Sequence, residues 1–199
     1  MKLCVFQGTF NPIHRVHLKV AEFALSHYNF DKILFIPAFI PPHKEVDNSL
    51  AEHRFNMVKL ATSENPKFEV SDIEYKRGGN SYTYLTILEL RKEYGIEDRI
   101  NFLIGTDAFN KIDTWYEADK LKDLLHFIVY PRCKNFDVKD YDKFKDLGYN
   151  FEFSPMEYID VSSTEVRDNI HCGKGILELE IPRVMEYIKE NGLYKMVEG

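Results

Sequence analysis

The chain has 199 residues, 44% of them hydrophobic and 29% charged, which suits one α/β domain with a substantial core and does not demand a second. Its formal net charge is −6, and the lysines and arginines are scattered, which excludes a basic surface that grips nucleic acid and leaves small anions as ligands of a local site. There is no run of roughly 18 apolar residues and no leader-like opening, and Cys4, Cys133 and Cys172 lack CxxC spacing, so reduced thiols, a cytoplasmic location and no membrane partner are expected.

Short β-rich runs alternate with stretches of helical period, the pattern of a mostly parallel sheet flanked by helices. Residues 2–6 (KLCVF) open as a strand. The apolar positions Val20, Ala21, Ala24, Leu25 and Tyr28 then follow helical spacing, and residues 32–39 (KILFIPAF) read as a second buried strand. Ser49 and Glu52 form a candidate capping box before a helix carrying Phe55, Val58 and Ala61. Residues 67–75 (KFEVSDIEY) read as a strand and 84–94 as a helix. The runs 99–105 (RINFLIG) and 126–131 (HFIVYP) are apolar enough for central strands, with a helix over 118–125 between them. Residues 150–161 give late strand material. A small C-terminal helical part follows, 163–170 and 182–191, the second helix with Pro182 in its first turn and Gly192 at its end. No repeat or linker divides the chain, so residues 1–199 are taken as one domain.

The handover from the first strand carries the chemistry. In GTFNPIHRVH (8–17), Gly8 permits close backbone approach and Pro12 ends the turn. The helix starting near His14 then points free N–H groups above the strand edge, where anions bind. Residues three apart share a helix face, so His14 and His17 are expected to project toward one point. The rival readings are a cap plus a packed histidine, or zinc, for which no third ligand is apparent. Near the other end, Ser162, Ser163 and Thr164 start a helix with Arg167 one turn later, a second arrangement suited to phosphate.

Together these stretches resemble the GxFxPxHxGH and ISSTxxR signatures of the nucleotidyltransferase superfamily. Four further segments, IPPHK (40–44), DIEYKRGGNSYTYLTILEL (72–90), IGTDAFNKIDTWYE (104–117) and IPRVMEYIKENGLY (181–194), resemble nicotinate-nucleotide adenylyltransferases in order and spacing. The resemblance implies a Rossmann-like nucleotidyltransferase fold. It also implies transfer of the adenylyl group of ATP to nicotinate mononucleotide, giving deamido-NAD and pyrophosphate, with Mg²⁺ accompanying ATP. Carried over by motif, it assigns His14, His17 and Arg167 as catalytic groups on the ATP phosphates. Gly8, Thr9, Phe10, Gly105, Asp107, Arg132, Ser163 and Thr164 are assigned to the nucleotide. Lys44, Thr83, Trp115 and Tyr116 are assigned to the acceptor, with Trp115 stacking on the pyridine ring and backbone N–H groups near Thr83 and Tyr116 receiving its carboxylate. No protein metal ligand is assigned, and a homo-oligomer is admissible.

The sequence departs from the pattern at three places. Gln7 replaces the first glycine of GGTF, Asn11 stands where Asp is frequent, and Arg15-Val16 replaces Tyr-Gly. Other readings of the same residues are an adenylyltransferase for nicotinamide mononucleotide or phosphopantetheine, or a catalytically idle nucleotide sensor. Intact His14, His17 and Arg167 speak against the sensor.

Overall fold

The computed structural model describes residues 1–173 and 180–195. Six strands, β1 (Leu3–Gly8), β2 (Lys32–Pro37), β3 (Phe68–Val70), β4 (Ile100–Gly105), β5 (Leu125–Tyr130) and β6 (Phe151–Phe153), form one sheet in the order β3-β2-β1-β4-β5-β6. Every pairing is parallel, as strands joined by helical crossovers require. The helices are α1 (Arg15–His27), α2 (Ala51–Thr62), α3 (Ile73–Arg77), α4 (Thr83–Tyr94), α5 (Thr106–Phe109), α6 (Ala118–Leu124), α7 (Asp142–Asp146), α8 (Ser163–His171) and α9 (Pro182–Glu190).

Alternation along β1 shows why helices cover both faces. Cys4 and Phe6 pack into one apolar layer with Val16, Val20 and Ala24 of α1, Met57 and Val58 of α2, Val166 of α8 and Val184 and Ile188 of α9. Leu3 and Val5 enter the other, with Ile87 and Leu90 of α4, Phe109, Leu121 and Phe144. Successive strand residues point to opposite faces, so a strand apolar at every position must be buried twice. Connections leave β1 toward β2 on one side while β4 pairs on the other. This strand-order reversal opens a crevice at the carboxyl ends of β1 and β4.

Three local expectations change. The Ser49–Glu52 capping box does not form: Asp47 accepts from the Ser49 N–H at 2.9 Å and caps a 3₁₀ turn, Asn48–Leu50, that leads into α2. The strand expected over 67–75 stops at Val70, and α3 follows, because Glu74 turns inward to a buried polar cluster that a straight strand would not reach. Late strand material shrinks to Phe151–Phe153; Ser154 N–H still bonds Val129 O at 2.8 Å, and Pro155, with no N–H to give, ends the pairing. No helix among the described residues is long and apolar enough to cross a membrane.

Candidate active site

A cleft of about 780 Å³ lies over the carboxyl ends of β1 and β4. Of the fifteen residues assigned from sequence, it is lined by all except His14.

His14 is the N-cap of α1 and its ring is 1% exposed, set behind His17 with ring centroids 3.8 Å apart. The pair therefore does not project side by side into the cleft. His17 forms the wall and His14 lies beneath it. The His14 N–H donates to His17 Nδ1 at 3.2 Å, so the proton of a neutral His17 sits on Nε2. Phe10 meets the His17 ring edge-on at 5.1 Å. Neither ring nitrogen of His14 has a partner, and such an orphan is costly unless a ligand or water meets it. Burial lowers the His14 pKa to about 4, helped by the Arg132 charge. It also lowers that of His17 well below the usual histidine value, with His14, Arg132 and Lys44 adding to it. Both imidazoles are neutral at pH 7, so each carries one ring N–H.

Gly8 earns its place through a contact rather than through φ. A Cβ there would lie 2.9 Å from the Phe10 ring, which folds back beneath the strand end with Phe10 itself at φ 49°. Phe10 is 2% exposed, so it shapes the cleft floor more than it offers a face. The Asn11–Pro12 bond that follows is cis. The second signature is tied to this turn. The Ser162 hydroxyl caps α8 by accepting from Glu165 N–H at 3.2 Å, Ser163 Oγ donates to Pro12 O at 3.1 Å, and Arg167 donates to Asn11 O at 2.7 Å and to Thr164 Oγ1 at 3.2 Å. The two signatures are thus one structure closed by hydrogen bonds, and the Ser163 hydroxyl serves that closure.

Across the cleft, Gly105 ends β4 and is the N-cap of α5. Its missing side chain lets Arg132 cross: a Cβ would sit 2.4 Å from Arg132 Cγ and 2.7 Å from Asp107 Oδ1. Arg132 Nε stands 3.8 Å from Asp107 Oδ2, and its NH1 donates to Val161 O at 3.1 Å. Asp107 is exposed, its Oδ1 accepting from the Ala108 N–H at 2.9 Å inside the first turn of α5, two residues after the N-cap Gly105. Lys44 stands at the mouth, where partial desolvation lowers its pKa; Asp107 opposes that, and Arg132 and Arg167 add to it. Lys44, Arg132 and Arg167 with the N–H groups of the α8 terminus make a locally cationic cleft in an acidic protein.

The far end of the cleft is aromatic. Trp115 follows a 3₁₀ turn, Ile112–Thr114, is half-buried, and rests edge-on against Phe102 at 6.4 Å, with the His43 ring stacked near it at 6.2 Å. Tyr116 is 46% exposed and stacks on Tyr82 at 4.5 Å. Thr83 opens α4, so backbone N–H groups of that first turn lack intrahelical partners.

Sequence reasoning missed four supporting residues. Arg54 is fully buried and donates to Thr9 O at 2.9 Å, Ala38 O at 2.6 Å and Phe39 O at 2.9 Å, pinning both cleft walls. Its signal was available: Arg54, Met57, Val58 and Ala61 share one helical stripe, and a charge on an apolar stripe needs partners. Tyr194 donates to Asn11 Oδ1 at 2.6 Å, fastening the chain beyond α9 to the turn. Glu74 and Gln7 bond each other beside Thr83. Nothing local marks these last three, whose partners lie far away in sequence. Among the described residues no cluster of three or more His, Cys, Asp or Glu side chains could hold a metal ion.

Residues 5–169 match the family model described as cytidylyltransferase-like. The probable nicotinate-nucleotide adenylyltransferase of Caldicellulosiruptor saccharolyticus is 39% identical over 199 residues, covering 98% of this chain and 100% of that protein. The probable nicotinate-nucleotide adenylyltransferase of Dictyoglomus thermophilum is 38% identical over 199 residues, with the same coverage of 98% and 100%. Among solved structures, Plasmodium falciparum nicotinic acid mononucleotide adenylyltransferase complexed with NaAD superposes with a TM-score of 0.76 over 96% of each chain at 21% identity, a likeness of fold. The family match from β1 into α8, joined to full-length relatives at this identity, means that the chain belongs to the cytidylyltransferase-like family, among its nicotinate-nucleotide adenylyltransferases.

Proposed function

We propose that this cleft transfers the adenylyl group of ATP to nicotinate mononucleotide, releasing pyrophosphate and forming deamido-NAD. The observation that carries the reading is the division of one cleft into a cationic end, with His17, Arg132 and Arg167, and an aromatic end, with Trp115 and Tyr116. Two anionic substrates fit head to head, their phosphates meeting between the ends.

The phosphate of nicotinate mononucleotide attacks the α-phosphorus of ATP in line. The bond from that phosphorus to the bridging oxygen breaks, and pyrophosphate leaves with the electron pair. The nucleophile is already an anion and needs no general base, so placement and charge neutralisation supply the rate. His17 donates its Nε2–H to the transferring phosphoryl group, and His14, packed against that ring from beneath, holds it in place. Arg167, already beside Thr164, takes the outer phosphates with a fork of donors that suits pyrophosphate as leaving group. Gly8, Thr9 and Phe10 shape the floor beneath the nucleotide, Gly105 and Asp107 hold its ribose or adenine, and Lys44 neutralises charge at the mouth. Trp115 stacks on the pyridine ring while N–H groups at Thr83 and Tyr116 donate to its carboxylate.

Mg²⁺ enters as part of the MgATP substrate. The one acidic assignment in the cleft, Asp107, is a single exposed carboxylate beside Arg132, a donor set that fits an ion riding on phosphates and water and not a protein cage. The single sheet shared by both apolar layers supports reading 1–199 as one domain. Free Cys4, Cys133 and Cys172 suit a reducing, cytoplasmic setting.

The test is pyrophosphate release from MgATP with nicotinate mononucleotide, nicotinamide mononucleotide or phosphopantetheine as acceptor. Highest catalytic efficiency with nicotinate mononucleotide is expected. Preference for phosphopantetheine, or no turnover with any acceptor, overturns the assignment.

A further inference from the structure

Gln7 stands at the carboxyl end of β1, in a place where the GGTF pattern has glycine, and its side chain lines the cleft beneath the acceptor end. Both ends of its carboxamide are engaged. Nε2 donates to Glu74 Oε1, and Oε1 accepts the Thr83 hydroxyl at 2.7 Å.

Glu74 determines which way round that amide sits. It is 1% exposed, and donors surround it: the Thr86 hydroxyl meets Oε1 at 2.7 Å and the Phe39 N–H meets Oε2 at 3.3 Å. Arg77 donates in turn to Thr86 Oγ1 at 3.0 Å and holds that hydroxyl toward the carboxylate. Burial raises the Glu74 pKa, while the Ser81 and Thr86 hydrogen bonds and the Arg77 charge oppose the rise. A flipped Gln7 would set its carbonyl oxygen against a carboxylate oxygen, a repulsion that no rotation of the Thr83 hydroxyl relieves, so Glu74 selects the orientation in which Gln7 Oε1 faces Thr83.

The consequence falls on Thr83. A hydroxyl has one proton, and this one goes to Gln7. Toward the cleft, Thr83 Oγ1 presents lone pairs only. A ligand carboxylate gains nothing there and is repelled, whereas a ligand NH₂ is accepted.

We propose that Gln7 is a specificity-determining positioning residue: held by Glu74, it takes the Thr83 proton and turns that hydroxyl into a pure acceptor, narrowing the enzyme's preference for the acid over the amide mononucleotide. This rests on the reading that Thr83 and Trp115 form the pyridine pocket. A residue that merely filled space would alter both acceptors alike; Gln7 acts on them in opposite directions.

The test compares kcat/KM for nicotinate and nicotinamide mononucleotide, at saturating MgATP, in the parent, Gln7→Met, Thr83→Val and the double variant. Gln7→Met frees the hydroxyl to donate, so the acid-to-amide ratio should rise by about fivefold or more, chiefly through KM. Thr83→Val removes the acceptor and keeps the shape, so the ratio should rise there too, and adding Gln7→Met should change it no further. Should Gln7→Met fail to fold, Thr83→Val alone decides. Ratios within about twofold of the parent, while Trp115→Ala still raises the KM for nicotinate mononucleotide, overturn the role of Gln7 and leave the pocket standing. If Trp115→Ala leaves both acceptors untouched, the pocket reading fails and this inference goes with it.

Discussion

The backbone N–H of His14 donates to Nδ1 of His17 across 3.2 Å, the N-cap of α1 holding a ring of its first turn. The bond fixes the tautomer of His17 and leaves Nε2–H as the donor offered to the cleft. His17→Ala should lower turnover by about 100-fold or more, the loss expected when a preorganised transition-state donor is removed. Thermal melting checks that the variant folds. A folded variant within a fewfold of parental turnover would show that His17 does not touch the transferring phosphate.

Gly105 makes a sharper test of the opposite wall. The Cβ of Gly105→Ala would fall 2.4 Å from Arg132 Cγ and 2.7 Å from Asp107 Oδ1, so both side chains must move. The core beneath is untouched, and overpacking of this kind costs about 1 to 3 kcal/mol. Catalytic efficiency for ATP should drop by roughly tenfold or more, as when donors to a bound anion are displaced. Parental ATP kinetics with a lowered Tm would mean that Arg132 and Asp107 serve stability and not the nucleotide.

Trp115 is the only tryptophan, which makes binding directly visible. Stacking on an aromatic face is worth roughly 1 to 3 kcal/mol, so Trp115→Ala should raise the KM for nicotinate mononucleotide about 5-fold to 150-fold while that for ATP hardly changes. In the parent, nicotinate mononucleotide should shift indole emission at the concentrations that saturate activity. Emission unmoved by saturating ligand would place the pyridine ring elsewhere.

The histidine pair also ties stability to pH. Lowered pKa values mean that the folded chain binds fewer protons than the unfolded one between 6.5 and about 4, so stability is full above 6.5 and is lost as pH falls through that window. Each such histidine contributes a slope of at most about 1.4 kcal/mol per pH unit, and His17, lowered in the same direction, adds to it. Tm measured from pH 7 down to 4 should fall steeply for the parent and more gently for His14→Gln. Identical slopes would show that His14 is not the group being charged.

How much was legible in the sequence divides by the range of the interactions involved. Strand and helix order, the doubly covered sheet and the two signature turns are written in local patterns: apolar periodicity, Pro12 and Pro182, the serines before α8. Each depends on neighbours within a few residues, and family resemblance then supplied the chemistry. Three-dimensional contacts decided the rest. His14 was expected at the cleft and lies behind His17, because the N-cap position turns its ring under the first helical turn. Glu74 was expected in a strand and ends in a helix facing Gln7, a partner 67 residues away. Ser163 reaches Pro12 across 151 residues and Tyr194 reaches Asn11 across 183. A hydrogen bond between distant segments leaves no periodic trace in either one. Its energy is decided only once the sheet has brought both ends together and excluded the water that would otherwise compete for each donor and acceptor.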